Sequence, residues 1–111
     1  MLYSDRVTLI KKIAETDAAG AAVLDDIGNH VYTEKASKVW ADIKSPSRAE
    51  AVAAGTMGLK ASAVVIVHVT DYSGQTIVEI DGDRMAVYRT FRKGEDVELY
   101  VTEKRGEADG H

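Results

Sequence analysis

Between Ala63 and Glu103 the chain is four short apolar-rich runs divided by three glycine turns, and no other feature so narrows what it can fold into. The runs are AVVIVHVT (63–70), TIVEI (76–80), RMAVYRTF (84–91) and DVELYVTE (96–103). Between them stand Tyr72-Ser73-Gly74, Asp81-Gly82 and Lys93-Gly94. Glycine reaches the positive φ that tight hairpins demand, and Asp-Gly is a strong hairpin signal. Links this short leave no room for a crossover helix, so the runs are expected as a four-stranded antiparallel meander. In the last run Val97, Leu99 and Val101 share one face and Glu98, Tyr100 and Thr102 the other, the alternation of a half-buried strand. In the third run Met85, Val87 and Phe91 share a face with Arg89, while Ala86, Tyr88 and Thr90 face away. The first run is apolar on both faces, which places it centrally or under cover on both sides.

A one-sided sheet must cover its apolar face, and the N-terminal half has the elements to do so. DRVTLIKKI (5–13) reads as a strand with Val7 and Leu9 on one face. Residues 14–29 read as a loop rich in Ala, Asp and Gly, of a length that is uncommon in a small domain unless it is functional or mobile. HVYTEKA (30–36) and KVWADIKS (38–45) read as two further strands, the second with Val39, Ala41 and Ile43 inward. Trp40 falls on the opposite face among Lys38, Asp42 and Lys44, and marks either a partner surface or a site under a neighbouring loop. Ser45-Pro46 then opens a helix. Ser47 and Glu50 have the spacing of a capping box, Ala49, Val52 and Ala53 form a small apolar stripe, and Gly55 ends the helix. No internal repeat stands out. The fold expected is mostly β: a small antiparallel β-barrel of about six or seven strands, with one short helix or long loop at about residues 45–59. Residues 1–104 form a single domain, and the polar stretch 105–111 is expected to be disordered.

Composition excludes more than it proposes. The 111 residues contain no cysteine, hence no disulfide framework and no thiolate zinc site. No run approaches the roughly 20 apolar residues of a membrane span, nor the apolar core of a signal peptide, so a soluble protein is expected. With 14 basic against 18 acidic residues the net charge is −4, unfavourable for nonspecific nucleic-acid binding. His30, His68 and His111 share no ligand spacing, and His68 reads as a core or interface residue. Asp81-Gly82-Asp83 resembles a fragment of a calcium loop but lacks the later ligands, so a hairpin turn explains it better. Arg89, Arg92 and Lys93 beside Glu95 and Asp96 read as a solvated hairpin end. Neither a phosphate loop nor a nucleophile elbow is present, and no cofactor, metal or catalytic role is expected.

The order of segments carries a resemblance. DRVTLIKK (5–12), DDIGN (25–29), VWADIKSPSRAEAVAAG (39–55) and DYSGQTIVEIDGDRMAVYRTFRKGEDVELYVTEK (71–104) together resemble the phage head–tail joining family, the head–tail adaptors or head-completion (stopper) proteins of tailed phages with long non-contractile tails. The resemblance covers nearly the whole chain except the polar tail. It departs at His68, where a basic residue such as arginine is expected, and at the long alanine-rich loop. It implies a structural, non-enzymatic role: a small β-barrel assembling as a ring, commonly of twelve copies, on a portal or adaptor protein. Such a ring closes the DNA channel after packaging, lets DNA pass without sequence-specific binding, and docks a tail-completion protein. The expected location is the virion neck, and the host bacterial cytoplasm before assembly. The segment between the Trp40 strand and the Val64 strand corresponds to the family's channel loop. Candidate interface or channel residues are therefore Trp40, Ser47, Arg48, Glu50, Met57, Leu59, Arg89, Arg92 and Lys93. The competing reading is a small β-barrel nucleic-acid-binding module that stacks bases on Trp40, Tyr88 and Phe91.

Overall fold

The computed structural model of the chain describes residues 3–103. It has six strands, β1 (Asp5–Ala14), β2 (Tyr32–Lys44), β3 (Ala61–His68), β4 (Ile77–Ile80), β5 (Asp83–Lys93) and β6 (Asp96–Glu103), one α-helix, α1 (Arg48–Thr56), and a single 3-10 turn at Val69–Asp71. All neighbours pair antiparallel, and the sheet closes on itself in the order β1-β2-β3-β6-β5-β4. The mostly-β barrel with one short helix expected from the sequence is the fold that forms, with six strands. Polar segment 105–111 lies outside the described residues.

The interior follows from side-chain alternation. Val7, Leu9, Val39, Ala41, Val65, Val67, Val78, Val97, Leu99 and Val101 all point inward and are buried. β-branched side chains dominate because they pack well on a pleated surface. On the other face of β3, Val64 and Ile66 are buried as well, where α1 packs against the strand. The two-sided apolar pattern of that run thus has its physical cause. Asp81 and Gly82 both take positive φ (51° and 87°) in a two-residue turn between the paired Ile80 and Asp83, the backbone that Asp-Gly favours.

The structure corrects the sequence reading in four places. First, the four-stranded meander does not form, because β3 pairs with β2 and β6, not with β4. The true meander is β4-β5-β6. The 69–76 link is long enough to cross the barrel end, and Val69 and Tyr72 pack onto the core as it does so. Within the link, buried Gln75 accepts the Ser73 amide at 2.7 Å, and its carbonyl takes the Tyr72 hydroxyl at 2.9 Å. Second, the two strands expected at 30–36 and 38–45 are one strand. Ser37 is no breaker and sits opposite Leu9 in unbroken pairing with β1.

Third, β5 carries a bulge. Val87 pairs with Val101 and Arg89 with Tyr100, which leaves Tyr88 as the extra residue. One added residue turns every later side chain to the other face. Arg89 and Phe91 therefore lie outside, and Phe91 is 50% exposed instead of sharing the core face with Met85 and Val87. Fourth, α1 runs through Gly55 and stops at Gly58. Leu59 donates to the Ala54 carbonyl at 2.9 Å and Gly58 to Gly55 at 3.0 Å, the paired bonds of a Schellman stop, with Gly58 at φ 76°.

Leu99 is fully buried in the core, on a strand flanked by Val65 of β3 and Thr90 of β5. Leu99→Ala is expected to destabilise the domain by about 3 kcal/mol through lost transfer energy and a residual cavity. The shift of the urea midpoint at unchanged slope measures it.

Candidate functional site

Two features stand outside the barrel: the helix α1 and a long ribbon formed by β1 and β2. The helix is short and begins at Ser47, whose hydroxyl accepts the Glu50 amide at 3.1 Å. That is half of the expected capping box. The other half is absent because the Glu50 carboxylate is used elsewhere. It is only 8% exposed and accepts the Tyr88 hydroxyl at 2.7 Å on one oxygen and the Arg89 guanidinium on the other. Adjacent residues of a regular strand point to opposite faces, so Tyr88 and Arg89 could not both reach one carboxylate without the bulge between Val87 and Arg89.

The clasp extends outward along β6. The Arg89 guanidinium lies 3.9 Å from the Tyr100 ring centre, and the Tyr100 hydroxyl donates to Glu98 at 2.5 Å. Arg89's hydrogen bond, then Tyr88's, holds the Glu50 carboxyl below its ordinary value of 4.5 against the opposing effect of burial. Burial, followed by the bond to Glu50, pushes the Tyr88 hydroxyl up to about 12.

α1 is amphipathic in the reverse of the usual sense. Only Glu50 and Ala54 are buried, one turn apart. Ala49, Val52 and Ala53, the stripe expected to pack on the barrel, face solvent, and Val52 is 63% exposed. A helix of this length has little stability of its own, so one carboxylate and one methyl group hold it in place.

The ribbon follows from unequal strand lengths. β1 and β2 pair over the whole of β1, from Asp5↔Ala41 to Ala14↔Tyr32. β4 covers only Thr8–Ile10 of β1, and β3 covers only Ala41–Lys44 of β2. The remainder projects, which gives the molecule extents of 45 × 31 × 23 Å. Its direction is fixed by the Arg84 guanidinium, which grips Glu34 with bonds of 2.8 and 2.9 Å, and by Lys11, which donates to the Ser73 carbonyl at 2.9 Å.

The presumed loop at 14–29 ends this ribbon and is ordered by a repeat that the sequence reading missed. TDAAGAAV (16–23) and LDDIGNHV (24–31) share Asp, Gly and Val at the same places in an eight-residue unit. In each, the Asp carboxylate accepts two backbone amides, from Ala19 and Ala21 on Asp17 and from Ile27 and Asn29 on Asp25. Gly20 and Gly28 take matching φ of 86° and 89°. Glu15, Val23 and Val31 close a cycle in which Glu15 donates to Val31, Val31 to Val23 and Val23 to Glu15. With three identities in eight, the repeat is visible only once the backbone bonds are matched.

Of the candidate residues, the structure brings together Glu50 and Arg89, with Ser47 capping the same helix. Arg89 is therefore not part of a solvated hairpin end. Arg92 is near that end and donates to the Gly94 carbonyl at 3.2 Å, and Lys93 pairs with Asp96. Arg48 is exposed on α1 and Met57 at its C-cap, and Leu59 is half-buried just beyond. Trp40 lies on the outer face of β2, 52% exposed, with the Arg6 guanidinium 4.6 Å from its ring centre instead of a covering loop. Tyr88, considered above only as a stacking aromatic, and Tyr100, not selected at all, join the clasp, since a bulge leaves no mark in an alternating strand. His68 is not a core residue. It ends β3, accepts the Thr70 amide at 3.2 Å and stands 3.6 Å from Glu95.

Trp40 on β2 and Phe91 on β5 belong to strands three places apart in a six-strand cycle. They sit on opposed sides of the barrel and offer bases no common stacking platform. The shallow groove lined by Arg6, Thr8, Lys38, Glu79 and Asp81, about 330 Å3 in volume, mixes both signs of charge. No protein-family model matches this sequence, and no curated protein matches it significantly.

Because the folded Glu50 value is depressed, its contribution is fully present above the unfolded value of 4.5 and is lost as pH falls through the folded value. Acidification below that point is expected to raise hydrogen exchange at residues 48–56 while the β3 and β6 amides stay protected. Glu50→Ala, expected to cost about 1–2 kcal/mol, should give the same local exposure at neutral pH. Unchanged exchange in α1 after this substitution would show that the helix does not depend on the clasp.

Proposed function

We propose that this chain is a structural protein of a tailed phage or prophage virion, forming a ring at the head–tail connection that closes the DNA channel after packaging and docks the tail. The observation that carries this reading is a set of large apolar side chains left exposed outside a core that is complete without them. Ile13, Leu24, Ile27 and Tyr32 are exposed on the ribbon and its tip, Val52 on α1, Met57 at its C-cap, and Phe91 on β5. Soluble monomers keep exposed apolar groups scattered, whereas projecting apolar elements mark contact surfaces. The resemblance to head–tail joining proteins along the chain supports the same assignment. So does the closed barrel, which is complete in itself and leaves its projections free to make contacts.

In this reading α1 and its flanks are the channel segment. Val52, Met57 and Leu59 sit on an element held by one ion pair, which allows movement at modest free-energy cost. Ring contacts come from neighbouring copies, with a portal or adaptor protein on one side and a tail-completion protein on the other. Before assembly the protein resides in the bacterial cytoplasm.

Deletion of the gene from the genome that carries it, followed by induction and electron microscopy of the lysate, tests the assignment. The expected result is free tails beside separate heads that have lost their DNA, with infectivity restored by the gene in trans. Intact, infectious virions from the deletion would overturn it.

A further inference from the structure

Residues Tyr32–Trp40 pair with β1 on one side, and β3 begins to pair on the other side only at Ala41. Among the described residues this leaves a nine-residue edge of backbone donors and acceptors with no strand beside it. Such an edge is a template for another strand. We propose that it binds the same edge of a second copy of this chain, antiparallel, about a two-fold axis at Ala36.

The argument is the complementarity of the edge with itself. The sequence is Tyr32-Thr33-Glu34-Lys35-Ala36-Ser37-Lys38-Val39-Trp40. Antiparallel pairing centred on Ala36 sets Glu34 opposite Lys38 of the second copy, and Lys38 opposite its Glu34. It also sets Tyr32 opposite Trp40 and Trp40 opposite Tyr32. These residues share the outer face of the ribbon, which is the face of β1's Arg6 and Thr8. Opposite charges and aromatic pairs directly across two strands are the contacts that stabilise a sheet. Tyr32 and Trp40 are 55% and 52% exposed, so both have surface to lose. Ala36 at the axis, where a side chain meets its own copy, is small.

Charge also fixes the register. Moving the axis to Lys35 puts that lysine against itself. Moving it to Ser37 sets Glu34 opposite Trp40 and Lys38 opposite Ala36, so both opposite-charge pairs are lost. Like charges directly across a strand pair are destabilising, so the lysines that discourage other partners favour this one. Glu34 is held in place by the Arg84 fork at 2.8 and 2.9 Å. A two-fold contact uses the same patch on both molecules and closes at two copies. This inference concerns the free chain and does not rest on the proposed virion role.

Sedimentation of the full chain at concentrations up to about 1 mM is expected to show a species of twice the 12.0 kDa chain mass. Lys38→Glu places two carboxylates opposite each other twice and is expected to weaken dimerisation by about tenfold or more. The native chain has no cysteine, so Ala36→Cys supplies a single thiol. Directly opposed residues lie within the Cα separation of a disulfide, so oxidation should link this variant into a dimer faster than it links Thr33→Cys, whose thiols sit apart in the paired form. A chain that remains monomeric throughout the range overturns the inference. So does a dimer that Lys38→Glu leaves unchanged, or equal crosslinking of the two cysteine variants.

Discussion

Closure of the sheet is the constraint on which everything else rests. β4 has four residues, and three of the β1 positions from Thr8 to Ile10 pair with it to complete the barrel. Without that short contact, Val7, Leu9 and Val78 would lie at the margin of an open sheet instead of inside. With it, the interior is filled by apolar side chains from all six strands, and only small inward residues such as Ala41 and Ala63 interrupt the run of larger ones. A barrel filled in this way has no room for a ligand. The features that set this chain apart are those the barrel holds up.

What it holds up is attached by polar contacts. A helix packed through leucines would be fixed by area, at about 25 cal/mol for each Å2 removed from water. α1 has instead a carboxylate on Tyr88 and Arg89 and a single buried alanine. An ion pair beneath a helix contributes little net stability, because removing the charges from water offsets most of the attraction. Its geometry is specific nonetheless. The bulge in β5, the rotation of Arg89 onto Tyr100 and the position of Glu50 in the first turn of α1 all serve the same contact. The apolar stripe displaced to the outside is the consequence.

The ribbon shows the opposite economy. Here backbone hydrogen bonds carry the structure and side chains are mostly left to solvent. Two isolated strands are marginal in water. The Arg84–Glu34 fork, the Lys11 bond to Ser73 and the cyclic bonding at the tip make up for the absence of a core. Lys11 and Lys35 stand directly opposite each other on the ribbon, an unfavourable pair relieved in part by the Ser73 carbonyl.

The sequence by itself determined the local elements: the period-two alternation of β6, the Asp81-Gly82 turn, the Ser47 cap and the two-sided apolar run of β3. Each depends on residues within a turn or a strand of one another, where sterics and hydrogen-bond reach decide the outcome. Only the tertiary structure decided which strands became neighbours, because β3 finds β2 and β6 through burial and not through the length of its connection to β4. It alone decided the bulge at Tyr88, since an extra residue is defined by the strand opposite. It alone decided the inward turn of Glu50. By the pattern of apolar residues that helix should have faced the other way. It does not, because an ion pair with Arg89 requires Glu50 beneath the helix, and the position of Arg89 is set by a register that no local stretch of sequence contains.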